Sequence, residues 1–368
     1  MRPRRILHIE TGRHLYGGAQ QVLYLLEGLQ QDATLENHLL CVADSAIAAA
    51  AQPFCQQLHI LPMRGEWDLR FYPRLKTLLR TLRPDLVHVH SRRGADWWGG
   101  LAARALGIPA VLSRRVDHPE TALSRYKYRF YARTITISRA IYQILQDAGV
   151  APQRLVCVPS AVDTTRYQQP CERDWFLREF NLPETALCLG VIAQLIERKG
   201  HRHLLAALPE ILRAHPDAYA LFFGQGPLAH TLQAQATAQG LNQRIIFAGF
   251  RQDLQKILPC LDLVVHPADK EGLGVALLQA ASAGCAIVAT EAGGLPEVVG
   301  ADNGLLIPPA NPHALVHAVN TLLADPPRRT AMGQRGRQHV SEHFSITAMV
   351  AGNRAVYQAV LTKQSCND

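Results

Sequence analysis

This 368-residue chain lacks the marks of several common function classes. No two of its eight cysteines (41, 55, 157, 171, 188, 260, 285 and 366) form a C-x-x-C pair. Neither a zinc ribbon nor a disulfide staple is expected, and scattered cysteines in a chain this long read as reduced, buried cytosolic thiols. A Walker A loop is missing, as is a G-x-S-x-G elbow, so neither a P-loop nucleotidase nor an α/β-hydrolase is supported. The glycine spacing of a dinucleotide fingerprint is also absent, which leaves NAD chemistry without its mark. The longest uncharged run, 272–290, approaches membrane-spanning length. It holds Gln279, Ser282 and three glycines in a helix–turn–strand pattern, so a span is rejected. The opening MRPRRILHIE has a basic start but an apolar core of only Ile6–Ile9, which reads as a first strand and not a signal peptide. No nucleic-acid motif and no aromatic–basic interleave occurs.

What is present fits a globular chain long enough for two cores: 48% apolar residues and 18% charged. The charge is lopsided. Residues 1–160 hold 21 Lys and Arg against 12 Asp and Glu, while the remainder is nearly balanced. The excess is either a solvated basic surface or a face for anionic lipid heads, where each basic residue adds on the order of 1 kcal/mol.

Short apolar runs alternate with amphipathic stretches, the grammar of βαβ units and parallel sheets. In the first half, strands are expected at 6–9, 39–43, 86–90, 110–113, 134–138 and 155–158. The polar stretch 163–173 reads as a boundary. The pattern then restarts, with strands at 187–193, 219–223, 245–248, 263–266, 286–289 and 304–307. This predicts two doubly wound α/β domains facing across a cleft, over 1–165 and 166–345. A tail over 346–368 is expected to form a helix packing back on the first domain. Ligands of such sheets bind beyond the carboxyl ends of the strands.

The strongest local signal is Glu271 followed by Gly272, Leu273, Gly274 and Val275, where a glycine loop opens a helix. Bare N–H groups and the helix dipole favour an anion there. The carboxylate would repel phosphate and suits sugar hydroxyls instead, so one loop offers both halves of a sugar nucleotide a partner. Eight positions on, Gln279 is placed for a ribose hydroxyl. Gly17 and Gly18 follow the first strand and allow close approach to a diphosphate, or form a plain βα turn. Lys199, after the first strand of the second domain, can reach a phosphate or be solvated. Phe250 is placed by position to border a nucleobase. His88 and His90 share a strand face, which raises zinc, but no third ligand lies at the usual spacing and no metal is expected. Arg115, His118 and His90 follow strands of the first domain and are candidates for substrate contact.

Taken together, these elements resemble the GT-B glycosyltransferases of the large retaining family 4. The resemblance covers most of the chain. It is strongest over 191–344, through ERKG, FGQGPL, FAGF, EGLGVALL, GGLPEVV and NGLLIPP, with GGAQ and VPSAVDTTRY in support. It implies metal-independent transfer of a sugar from a nucleotide donor with retention. The donor would lie on the second domain and the acceptor on the first. Glu271 would bind donor hydroxyls, Lys199 would neutralise the diphosphate, Gly17 and Gly18 would approach it, and the 272–275 amides would hold sugar and phosphate. Three departures stand out. The family's Glu-x7-Glu reads Glu271…Gln279, a weaker ribose acceptor. The arginine five residues before the lysine is Gln194. The histidine after the first domain's 110–113 strand is Arg115, which would bind phosphate in its place. The implied partners are a nucleotide sugar and a glycan or lipid-linked acceptor, as in lipopolysaccharide synthesis, with no cofactor and no nucleic acid. The implied location is cytoplasmic, with peripheral contact at the inner membrane face. A sugar-nucleotide epimerase of the same fold and a degenerate partner subunit are the alternatives.

Overall fold

The computed structural model describes residues 2–15, 17–90 and 94–365. Tyr16, part of the expected glycine turn, and Cys366 lie outside the described residues. The chain divides into two compact units, Met1–Ala161 with Ile346–Asp368, and Val162–Ser345. The change of unit falls just ahead of the polar stretch 163–173.

The first unit carries seven strands: β1 (Arg4–Ile9), β2 (Leu35–Cys41), β3 (Gln57–Ile60), β4 (Leu86–Val89), β5 (Ala110–Arg114), β6 (Arg133–Thr136) and β7 (Leu155–Cys157). All pair in parallel, in the order β3-β2-β1-β4-β5-β6-β7. The second unit has β8 (Leu187–Ile192), β9 (Ala218–Phe223), β10 (Ile245–Gly249), β11 (Leu263–His266), β12 (Ile287–Thr290) and β13 (Gly304–Ile307). Its order is β10-β9-β8-β11-β12-β13, again all parallel.

Parallel strands are covered by helices on both faces, so their sequences are continuous apolar runs instead of alternating ones. Leu263–His266 and Ile287–Thr290 are buried at every position. In each sheet the order reverses beside the first strand, between β1 and β4 and between β8 and β11. That switch leaves a crevice beyond the carboxyl ends of those strands, where open α/β sheets bind ligands.

The last helix, Ile346–Ser365, belongs to the first unit. It buries Met349, Val350, Val356, Tyr357 and Val360 against Ile6, Leu25, Leu29, Leu86 and Val111. Each such side chain is worth about 1.5–3 kcal/mol.

Two expectations need correction. β3 was not among the expected strands: QLHI is a short edge strand exposed at both ends, so no apolar run marks it. The thiols are not all reduced either, because Cys171 and Cys260 form a disulfide. It ties the approach to the Arg173–Glu179 helix to the segment before β11. Burial pushes the thiols of Cys188 and Cys285 up to about 12, so they are protonated and inert.

Candidate functional site

In the second unit two loops meet beyond the switch point, one leaving β8 and the other leaving β11. The first runs through Gln194, which is exposed, to the short helical turn Glu197–Lys199. It ends at Gly200, whose φ is +67°. A Cβ there would stand 1.9 Å from the Pro267 carbonyl oxygen, so only glycine lets this loop press on the other. The loops are stitched by their backbones: Asp269 N–H donates to the Arg198 carbonyl at 2.9 Å. Arg202 and His203 both reach the Asp269 carboxylate, at 2.6 and 2.8 Å.

That stitching brings Lys199 and Glu271, 72 residues apart, into contact as an ion pair. The Glu271 carboxylate is only 8% exposed and has three donors. Lys199 and His266 Nε2 serve one oxygen, the latter at 3.0 Å, and Gly272 N–H serves the other at 3.1 Å. Burial by itself would raise the Glu271 pKa. The hydrogen bond from His266 and the charge of Lys199 outweigh it and hold the carboxyl well below the usual range. Burial conversely lowers the pKa of His266, despite its carboxylate partner. A neutral imidazole protonated on Nε2 therefore orients the acid.

Beyond Glu271 the chain passes Gly272 and Leu273, both buried, to Gly274 at φ +90°. There it enters the Val275–Ser282 helix. First-turn amides such as that of Val275 have no intrahelical acceptor and face outward as anion donors. Gly293 backs the loop: a Cβ on it would stand 1.8 Å from the Glu271 carbonyl oxygen.

The remaining expected donor residues lie apart from this cluster. Gln279 is half-buried and hydrogen-bonded with the Tyr167 hydroxyl. Phe250 is exposed beyond β10, next to Arg251, which is forked onto Asp253 and Glu179. His266 was missed from sequence. Its signal was available, since it is the last residue of a strand and lies five positions before the acid.

In the first unit the corresponding crevice follows β1 and β4. Gly17 and Gly18 open the Gly17–Leu29 helix and are exposed. A Cβ on Gly17 would meet nothing within 4 Å, while one on Gly18 would lie 3.7 Å from Arg115 Cδ. The structure thus sets Arg115 beside the glycine turn. Burial lowers its pKa to about 10, against the opposing pull of Glu10. It stays cationic, and its Nε has no partner.

His90 is not an open acceptor-side group: it is 3% exposed, and its Nε2 shares a proton with His8 Nδ1 at 3.0 Å. The expectation that the HxH pair lacks a third imidazole is also corrected. His8, on the adjacent strand, brings the possible ligand atoms of His8, His88 and His90 within 4.8 Å of one another. The nitrogens are already engaged, however. His8 Nε2 bonds Asn37, and His88 bonds Tyr357 at 2.6 Å and Ser113 at 2.9 Å. Only His90 Nδ1 is without a partner, so the cluster is a hydrogen-bonded core and fits a metal poorly. His118 is exposed and lines a cavity of about 590 Å³ with Trp67, Trp98 and Glu120.

With that geometry in hand, the chain was compared with known proteins. The Glycosyl transferases group 1 family matches residues 173–339, and Glycosyltransferase Family 4 matches residues 16–166. The 2-deoxystreptamine glucosyltransferase of Streptomyces kanamyceticus is 29% identical over 78% of this chain and 80% of its own length. A GDP-mannose-dependent alpha-(1-6)-phosphatidylinositol monomannoside mannosyltransferase of Mycolicibacterium smegmatis is 30% identical, over 72% and 78%. Among solved structures, Anabaena Alr3699/HepE in complex with UDP and glucose superposes with a TM-score of 0.84 at 19% identity. That match covers 97% of this chain and all of the other. Both curated relatives are sugar transferases, so the epimerase alternative gains no support.

Proposed function

This chain belongs to glycosyltransferase family 4, and from that premise we propose that it moves a sugar from a nucleoside-diphosphate donor to a glycan or lipid-linked glycan, with retention and without a metal. The observation that carries the reading is the Lys199–Glu271 pair at the mouth of the Val275–Ser282 helix. A leaving diphosphate gains negative charge in the transition state. Preorganised donors aimed at that charge supply most of the stabilisation. Lys199, Arg198 and the amides from Gly272 to Val275 are such donors, and they offer the positive charge a metal would otherwise bring. Glu271 would receive donor hydroxyls on its remaining lone pairs. Arg115 and the Gly17–Gly18 turn are assigned to the diphosphate, Gln279 to the ribose, and Gln194 and Phe250 to the donor's outer parts.

Retention is supported by how Glu271 is held. Three donors engage the carboxylate, which suits a fixed hydrogen-bond acceptor and not a nucleophile that must swing onto the anomeric carbon. A front-face reaction follows, with the donor phosphate accepting the acceptor's proton. The lipid-linked acceptor rests on the basic first unit and on the mannosyltransferase relative. A peripheral position at the inner membrane face goes with it, since no described helix is long and apolar enough to cross a membrane.

The test is a panel of UDP-, GDP- and ADP-sugars assayed for transfer with and without chelator, with the product's anomeric configuration read by NMR. Retained configuration and indifference to chelator are expected. An inverted product or loss of turnover on chelation would overturn the mechanism.

A further inference from the structure

Four arginines of the first unit open onto one cavity of about 860 Å³. Arg104 ends the Ala95–Arg104 helix, Arg125 and Arg129 lie on the Ser124–Phe130 turn, and Arg154 immediately precedes β7. No Asp or Glu lines this cavity, and none of the four makes an ion pair among the described residues. Arg125 donates to the Ala148 carbonyl at 3.3 Å and Arg154 to that of Tyr131 at 2.9 Å. The Arg129 guanidinium lies 4.4 Å from the centre of the Tyr126 ring. The contrast with the neighbouring cations is sharp. Arg114 and Lys127 are buried and both reach Glu120. Four positive charges left unpaired around one cavity repel each other, and a phosphate would offset that repulsion through the bidentate geometry arginine favours.

Apolar tips stand beside the arginines. Leu123 is 73% exposed and Tyr126 is 50% exposed, and both belong to the same stretch of chain. Trp67, 83% exposed, shares an adjoining cavity with Leu123. A soluble anion would satisfy the arginines and leave these tips in water. An anionic bilayer satisfies both, since aromatic and aliphatic tips favour the interfacial layer while basic groups hold the phosphates.

We infer that this face seats on an anionic phospholipid surface, with a lipid phosphate in the four-arginine cavity and Leu123 and Tyr126 in the interfacial layer. The cavity lies at the amino ends of β6 and β7. Glu10, His90 and Arg115 lie at the carboxyl ends of β1, β4 and β5, so lipid and acceptor sites are separate. The inference rests on the lipid-linked acceptor reading and gives it a surface.

The experiment is sedimentation of the full chain with phosphatidylcholine vesicles, with or without phosphatidylglycerol, in the absence of sugar donor. The variant is R104Q/R129Q; neither side chain donates a hydrogen bond among the described residues, so the fold is kept. Each basic residue near an anionic surface adds about fivefold in partitioning, so the double variant should bind on the order of 25-fold more weakly at low salt. L123S should weaken binding equally at low and high salt, because its contribution is apolar. Wild-type chain that ignores anionic vesicles, or a double variant that binds them normally, would overturn the inference. So would soluble glycerol phosphate binding as tightly as the vesicles, which would mark a site for a free anion. UDP and GDP binding, measured on the same preparations, tests the transfer reading separately.

Discussion

Lys199 and Glu271 divide one task between them. The acid is buried and would be costly alone; the ammonium beside it removes that cost and remains only lightly covered. Lys199→Ala therefore does two things at once. It deletes a cation from the diphosphate, expected to lower kcat by about 10²–10³-fold, as for other single preorganised donors. It also leaves a buried carboxylate with only His266 and Gly272, which lowers stability. Steady-state kinetics with a competent donor, alongside a melting curve, separates the two; near-normal kcat would remove Lys199 from the mechanism. The Glu271 carboxyl titrates below its unfolded value. Its contribution to stability is thus fully present above about pH 4.3 and is lost as the pH falls toward the folded pKa. At this scale the sequence was half legible. Both residues stand out by their glycine neighbours, but their pairing depends on β8 and β11 being adjacent, which no local pattern encodes. His266 and His8 were hidden for the same reason.

At the scale of elements, three imidazoles lie on two adjoining strand ends, with almost no water around them. Burial is the leading cause that lowers the pKa of each, to about 4 for His8. The unfolded chain binds protons near pH 6.5 that the folded chain refuses. Stability from this cluster is therefore fully present above about pH 6.5 and falls as the pH drops below it. At 1.4 kcal/mol per pH unit, His8 alone loses about 2 kcal/mol between pH 6.5 and pH 5, and His88 and His90 act in the same direction. Urea unfolding at the two pH values should show this drop, and His8→Gln should flatten it; equal stabilities would count against neutral imidazoles. In the second unit the Cys171–Cys260 bridge closes a loop of 89 residues. Reduction is expected to cost about 2–4 kcal/mol, read as a lower unfolding midpoint that Cys171→Ser reproduces without reductant. Most strands were legible because buried parallel strands are unbroken apolar runs. β3 was not, because an edge strand has one neighbour and little to bury. The disulfide was not, because cysteine spacing along the chain carries no information about distance in space.

At the scale of the whole molecule, one chain builds the same switch-point sheet twice and then returns to the first. The return is visible in sequence as a strandless tail after the last β pattern. What it completes is not, because its partners Ile6, Leu86 and Val111 are separated from it by the entire second unit. The Ile346–Ser365 helix supplies five buried side chains to the first unit's core. At 1.5–3 kcal/mol each this amounts to on the order of 10 kcal/mol, comparable with the net stability of an ordinary domain. It also supplies the Tyr357 hydroxyl that holds His88, and so reaches the crevice where Arg115 and His90 stand. A chain ending at Ser345 should therefore lose the first unit's cooperative unfolding transition and keep that of Val162–Ser345, whose core cluster is its own. Tyr357→Phe separates packing from hydrogen bonding: it keeps the ring and removes one buried partner, at a cost of about 1–3 kcal/mol. If the truncated chain kept both transitions by calorimetry, the helix would be an appendage, and the arrangement of the His8–His88–His90 cluster would have to be maintained by the strands alone.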